Sequence, residues 1–145
     1  VAQKARDTGL TSPCAQLLIY PVMDNSCSTP SATQFEDVPL WNAKSNRNMW
    51  QMYLARYPQA EAPLYAAPGF GDVQSLPPSY VETAEFDPLR DEGKDYASKL
   101  TSAGIDVVRN DTLQTIHGYD GMAKNAIAKE SMLQRIAFLK DNFRQ

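Results

Sequence analysis

Three short strand-like segments, residues 15–20, 80–86 and the more polar 106–113, alternate along the chain with amphipathic ones, residues 41–57, 89–103 and 122–143. No other feature restricts the fold as much. A strand followed by a helix and then another strand forms a crossover, and repeated crossovers build a parallel sheet with helices on both faces. The first segment, Ala15-Gln16-Leu17-Leu18-Ile19-Tyr20, is short and stops at Pro21, which suits a buried strand. Tyr80-Val81-Glu82-Thr83-Ala84-Glu85-Phe86 has the β-branched and aromatic content of a strand. The third segment carries Asp106, Arg109 and Asp111, charges that suit an edge strand guarded against pairing with other chains. The expected fold class is α/β, a three-layer α-β-α arrangement with a mostly parallel sheet.

Between the strands, the spacing of Met49, Trp50, Tyr53, Leu54 and Tyr57 predicts a helix over 41–57, capped by Asn42 or Ser45 and stopped by Pro58. In 89–103, Leu89, Tyr96, Ala97, Leu100 and Ala103 share one face. Asp87 stands as the cap of that helix, Pro88 in its first turn and Gly104 at its end. Asp91 and Glu92 fall where the helix dipole favours acids, and with Asp95 they read as a solvated face. The last helix, 122–143, carries Met132, Ile136, Leu139 and Phe143 on one stripe. Residues 63–78 are rich in proline, glycine and alanine without a period, and read as a surface connection. Segment 22–78 as a whole reads as a helical and loop insertion between strands. Residues 1–9 read as the end of a helix stopped at Gly9, so further sequence is expected upstream.

Composition removes several function classes. A chain of 145 residues with net charge -3 offers nucleic acid no electrostatic invitation. No apolar run approaches the roughly 18 residues of a membrane span, and no secretory segment opens the chain, so no stable membrane anchor is expected. One histidine and two separated cysteines give no metal-ligand spacing. Gly69-Phe70-Gly71-Asp72 follows no strand and lacks the ending of a phosphate loop. No cofactor is expected. Cys14 and Cys27 read as free thiols of a reduced, cytoplasmic protein.

His117, the only histidine, lies just past the third strand in Thr115-Ile116-His117-Gly118-Tyr119, and Asp87 lies just past the second. Functional groups of parallel sheets gather at the carboxyl ends of the strands. If the two strands are neighbours, both side chains leave the sheet at one edge, in the acid-then-histidine order of a Ser-Asp-His triad. A carboxylate bonded to Nδ1 would fix the tautomer and leave Nε2 to take a proton from a hydroxyl. Each residue also has a structural reading, Asp87 as a helix cap and His117 as a solvated loop side chain. Order, strand placement and the following Gly118 together favour the chemical one. No serine stands in a G-x-S-x-G elbow. Cys14 precedes a strand and Cys27 lacks flanking glycines, so neither replaces it.

Gln16-Leu17-Leu18-Ile19-Tyr20-Pro21-Val22-Met23-Asp24, Leu76-Pro77-Pro78-Ser79-Tyr80-Val81, Ala84-Glu85-Phe86-Asp87-Pro88-Leu89-Arg90-Asp91-Glu92-Gly93, Tyr96-Ala97 and His117-Gly118-Tyr119 resemble the C-terminal half of the hormone-sensitive-lipase-like esterases. These are acetyl-esterase-type α/β-hydrolases. The resemblance covers nearly the whole chain, and Asp-Pro-Leu-Arg-Asp-Glu-Gly is its most specific part. It implies a partial α/β-hydrolase fold, with residues 1–145 the C-terminal segment of a single catalytic domain. Asp87 is then the triad acid and His117 the general base of a serine carboxylesterase acting on short-chain esters. A serine elbow and an oxyanion loop are implied N-terminal to these motifs, and this sequence contains neither. The chain alone is therefore expected to be inactive, lacking a hydroxyl to activate and donors for an oxyanion. Trp41, Met49 and Trp50 would line the acyl site, or else serve as core or interface residues. The expected partners are an ester substrate and the missing N-terminal half, or a second copy paired at the open sheet edge. The alternative from another class is a non-catalytic α/β module for binding or assembly.

Overall fold

In the computed structural model, residues 1–11, 13–57, 63–121 and 125–143 are described. Strands β1 (Gln16–Ile19), β2 (Ser79–Phe86) and β3 (Val107–Ile116) form a parallel sheet in the order β1-β2-β3. Five α-helices surround it among the described residues: α1 (Ala2–Asp7), α2 (Pro30–Gln34), α3 (Ala43–Tyr53), α4 (Arg90–Ser102) and α5 (Ala126–Phe143).

The two-residue period of β2 builds the three layers. Val81 points into an apolar cluster with Ala2 of α1 and with Tyr96, Ala97 and Leu100 of α4. The next residue on the same face, Thr83, lies against Gly93, so α4 approaches the sheet closely there. Tyr80, Glu82 and Ala84 point the other way, toward Phe138, Arg135 and the cluster containing Ala128 of α5. Central β2 is therefore buried on both faces, which explains its nearly continuous burial. β3 pairs on one side only and carries its charges outward.

Several expectations need correction. The helix predicted over 41–57 is shorter: Asn42 caps it, its Oδ1 accepting the Ser45 N–H at 2.9 Å, so Trp41 precedes the helix. Pro58 lies outside the described residues. The helix predicted over 89–103 runs from Arg90 to Ser102, with Leu89 rather than Asp87 at its N-cap and Pro88 in the turn before it. β3 continues past Leu113 to Ile116. Segment 63–78 is not confined to the surface: Ala67, Val73 and Leu76 are buried. It is held down by Lys99 Nζ, which donates to the carbonyls of Gly69 at 2.9 Å and Gly71 at 2.7 Å, and by Gln3, which donates to Pro68.

Helix α5 departs furthest. Its packed face is Ala128, Ser131, Arg135 and Phe138, whereas Met132, Ile136 and Phe143 of the predicted stripe are exposed. The reason is Glu82, fully buried at the centre of β2. An ionised carboxylate there requires a charged partner, and α5 is turned so that Arg135 supplies it. Position 122, where that helix was predicted to start, lies outside the described residues.

Candidate active site

Adjacency of β2 and β3 alone does not bring Asp87 to His117. Ala84 pairs with Thr112, and continued regular pairing would set Asp87 beside Thr115. Instead Phe86 pairs with Ile116, because a bulge inserts two extra residues into β3. Gln114 adopts a left-handed φ of 56° within it, and its N–H donates to Glu85 Oε2 at 2.7 Å. The Thr112 and Thr115 hydroxyls lie 2.7 Å apart, and Thr112 also donates to the Thr83 carbonyl at 2.9 Å. By taking up those two residues the bulge draws His117 back until it stands next to Asp87, where a regular strand would have carried it two residues past.

The two oxygens of Asp87 then serve different purposes. Oδ1 accepts the Leu89 N–H at 2.9 Å and orders the turn into α4. Oδ2 lies 2.8 Å from His117 Nδ1. Asp87 is therefore not the cap of α4, whose N-cap is Leu89; a turn bond before the helix and the histidine pairing coexist on one carboxylate. Asp87 is 1% exposed and His117 26%. A carboxylate can only accept, so in a neutral ring Nδ1 must carry the proton and Nε2 offers its lone pair outward. The arrangement can take a proton from a hydroxyl brought to Nε2 and return it to a leaving group.

Two aromatic rings contact the imidazole. Tyr20 lies 4.9 Å away between centroids at 48°, and Trp41 lies 5.8 Å away at 31°. Behind them is a polar cluster on the α5 side of the sheet. Arg135 Nε and Nη2 donate to Glu82 at 3.1 and 2.5 Å, and Nη1 donates to Asp120 Oδ2 at 2.8 Å. Tyr119 also donates to Glu82, at 2.8 Å. Burial would raise the Glu82 carboxyl, but Arg135 and the Tyr80 and Tyr119 hydroxyls outweigh it and hold the group below the usual carboxylate range.

Of the other predicted site residues, Trp50 packs against Tyr53 and lines an opening of 480 Å³ with Cys27, Arg47 and Leu54. Met49 is half-buried on the same helix. The indole N–H groups of Trp41 and Trp50 are buried without a partner among the described residues. Cys14 and Cys27 are free thiols. Among the described residues, no cluster of three or more His, Cys, Asp or Glu is placed to hold a metal. No described helix is long and apolar enough to cross a membrane.

The solvated reading of Glu92 was wrong. It is 3% exposed, and its Oε1 accepts the Met23 N–H at 2.6 Å and the Asp24 N–H at 3.4 Å. Burial, aided by the charges of Asp24 and Asp87, pushes it up to about 7 against the pull of those backbone donors. Sequence reasoning also missed Tyr20 and the Glu82–Arg135 pair. A charge at the centre of a strand read as buried was the available signal for the pair, since such a group must find a counter-charge.

Comparison with known proteins gives a consistent result. Residues 1–121 match the family described as the alpha/beta hydrolase fold. The chain is 38% identical over 130 residues to carboxylesterase NlhH of Mycobacterium tuberculosis, a match covering 85% of this chain and 40% of that protein. It is 34% identical over 132 residues to ethyl acetate hydrolase of Pseudomonas putida, covering 89% and 40% respectively. Among solved structures, a bacterial heroin esterase superposes with a TM-score of 0.95 at 34% identity, over 99% of this chain and 47% of that one. The chain thus spans about 40% of the length of the curated relatives it matches.

Proposed function

Because the chain belongs to the hormone-sensitive-lipase-like branch of the alpha/beta hydrolases, we propose that it carries the acid and base of a serine carboxylesterase for short-chain esters. In this reading residues 1–145 are the C-terminal segment of one catalytic domain, with 22–78 inserted between strands. His117 is the general base and Asp87 the carboxylate that orients it. A serine from sequence outside this chain attacks the ester carbonyl, and His117 Nε2 takes the hydroxyl proton and passes it to the departing alkoxide. Water then attacks the acyl group by the same relay and restores the serine.

The observation that carries the reading is the 2.8 Å approach of His117 Nδ1 to Asp87 Oδ2 at the carboxyl ends of adjacent parallel strands. Trp41, in contact with the imidazole, is assigned to the wall of the ester site, with Met49 and Trp50 further along the same segment. Two free cysteines suit a cytoplasmic setting.

The test is hydrolysis of p-nitrophenyl acetate. The chain alone should be inactive. Mixed with an N-terminal segment of a relative that holds the G-x-S-x-G elbow, it should gain activity that His117→Ala and Asp87→Ala abolish. Hydrolysis by the chain alone, abolished by His117→Ala, would contradict the supplied nucleophile. A folded complex that stays inactive would favour the non-catalytic binding or assembly module, a reading prompted by the lack of a serine elbow in this sequence.

A further inference from the structure

The bond to Asp87 fixes one atom of the His117 ring. By itself it leaves the ring free to swing about the Nδ1···Oδ2 line, which would carry Nε2 away from a hydroxyl. Beyond the side chain's own torsions, the plane is held by what touches the ring faces, and Tyr20 is the nearer of the two aromatic neighbours.

Tyr20 is itself in an unusual state. It leaves β1 with φ 46°, a left-handed conformation that disfavours a bulky side chain. Its surroundings hold it there. The Tyr20 N–H donates to the Glu82 carbonyl at 3.0 Å, and its hydroxyl donates to Asp120 Oδ1 at 3.1 Å. The side chain is buried, and burial, with the nearby Tyr119, Asp120 and Glu82, pushes its hydroxyl far above the ordinary tyrosine value, so it stays a donor.

Asp120 follows His117 by three residues, in the short 3₁₀ turn Tyr119–Gly121. One of its oxygens receives Tyr20 and the other receives Arg135 of α5 at 2.8 Å. Burial opposes its charge, but the bonds from Arg135 and Tyr20 prevail and hold it below the ordinary aspartate range. A single carboxylate therefore ties the ring beneath His117, the loop that carries His117 and the helix behind both.

We propose that Asp120 is a positioning residue which, through Tyr20 and Arg135, sets the plane of the His117 ring. It acts on the general base through Tyr20 and touches no reacting atom. The inference rests on the reading of His117 as that base.

Because His117 is the only histidine, its ring signals in the ¹⁵N-labelled chain are unambiguous. Two-bond ¹H–¹⁵N correlations report which nitrogen holds the proton. The ring-proton shifts report how the imidazole lies against Tyr20 and Trp41. At about pH 8, above the ordinary histidine value, the wild-type chain should show the Nδ1–H tautomer. Asp120→Ala and Tyr20→Phe should keep that tautomer, which Asp87 sets, and shift both ring protons. Asp120→Asn should retain part of the wild-type pattern, since its one carbonyl oxygen can serve only one of the two donors. Asn110→Ala, which cuts bonds to Tyr80, Glu82 and Ser131 in the same cluster, should lower the melting temperature and leave the ring signals unchanged.

Folded Asp120→Ala and Tyr20→Phe chains with wild-type ring signals would overturn the proposal. If Asp120→Ala does not fold, Tyr20→Phe decides alone, because it removes one oxygen and keeps the ring. Asp87→Asn separates the two readings. If it leaves the spectrum unchanged, the acid–base pair and the esterase reading fail together with this one. If it changes the spectrum while Asp120→Ala and Tyr20→Phe do not, only the positioning role fails.

Discussion

Replacing Glu92 by glutamine removes a titrating group from the interior and keeps an acceptor for the Met23 and Asp24 N–H groups. Folding moves the Glu92 carboxyl from its ordinary 4.5 up to about 7. The native state therefore binds this proton more tightly than the unfolded chain does. The contribution is fully present below pH 4.5 and is lost as pH rises to about 7. At about 1.4 kcal/mol for each pH step, wild type should lose about 3 kcal/mol across that window through this residue alone. Glu82, Asp91 and Asp120 are held below their ordinary values, so what they contribute is lost only at lower pH, as each becomes protonated. Glutamine also leaves its amide group where Oε2 has no partner among the described residues. That cost does not depend on pH and cancels when the two profiles are subtracted. Urea unfolding followed by tryptophan fluorescence from pH 4 to 8 provides the measurement. Glu92→Gln minus wild type should rise by about 3 kcal/mol from the acid end to the alkaline end. A difference that stays flat would refute the buried, proton-holding reading.

Three further outcomes follow from the packing. Arg135→Met leaves Glu82 buried without its counter-charge and should cost roughly 3–5 kcal/mol in chemical denaturation, with much of the loss recovered when Glu82→Leu is added. Gly93→Ala should destabilise by about 1–3 kcal/mol although alanine favours helices, because its Cβ would come 2.8 Å from the stiff Thr83 Cγ2. Adding Thr83→Ala should reverse the sign of that change. Asn42→Ala should cost about 1 kcal/mol by removing the cap of α3, read as a lower urea midpoint at constant slope.

What could be read from the sequence was set by local rules, and what could not depended on distant partners. Alternating segments gave the parallel sheet, and strand ends gave Asp87 and His117, because crossover geometry sends both to one rim. The stripe on α5 misled because apolar periodicity assumes an apolar opposing surface, whereas here the opposing strand presents Glu82. Glu92 read as solvated because acids in a first helical turn usually are; nothing near it in sequence reveals that the Met23–Asp24 backbone covers it. Tyr20 looked like the last residue of a strand before a proline. Its left-handed backbone, and hence its place under the imidazole, follows from bonds to Glu82 and Asp120, which lie far along the chain.

The irregularity in β3 has a consequence for how this edge can tolerate change. Its surplus is even, so the inward and outward alternation of side chains is the same before and after it, and the strand can lengthen without exchanging faces. Removing Leu113 and Gln114 together would preserve that parity and set His117 three residues after Thr112, still level with Asp87, which stands three after Ala84. Losing just one of them would exchange the faces of all that follows, moving Thr115 and the histidine to the opposite side of the sheet. The meeting of acid and base is thus indifferent to this pair of residues, provided that both stand in the bulge or both are absent.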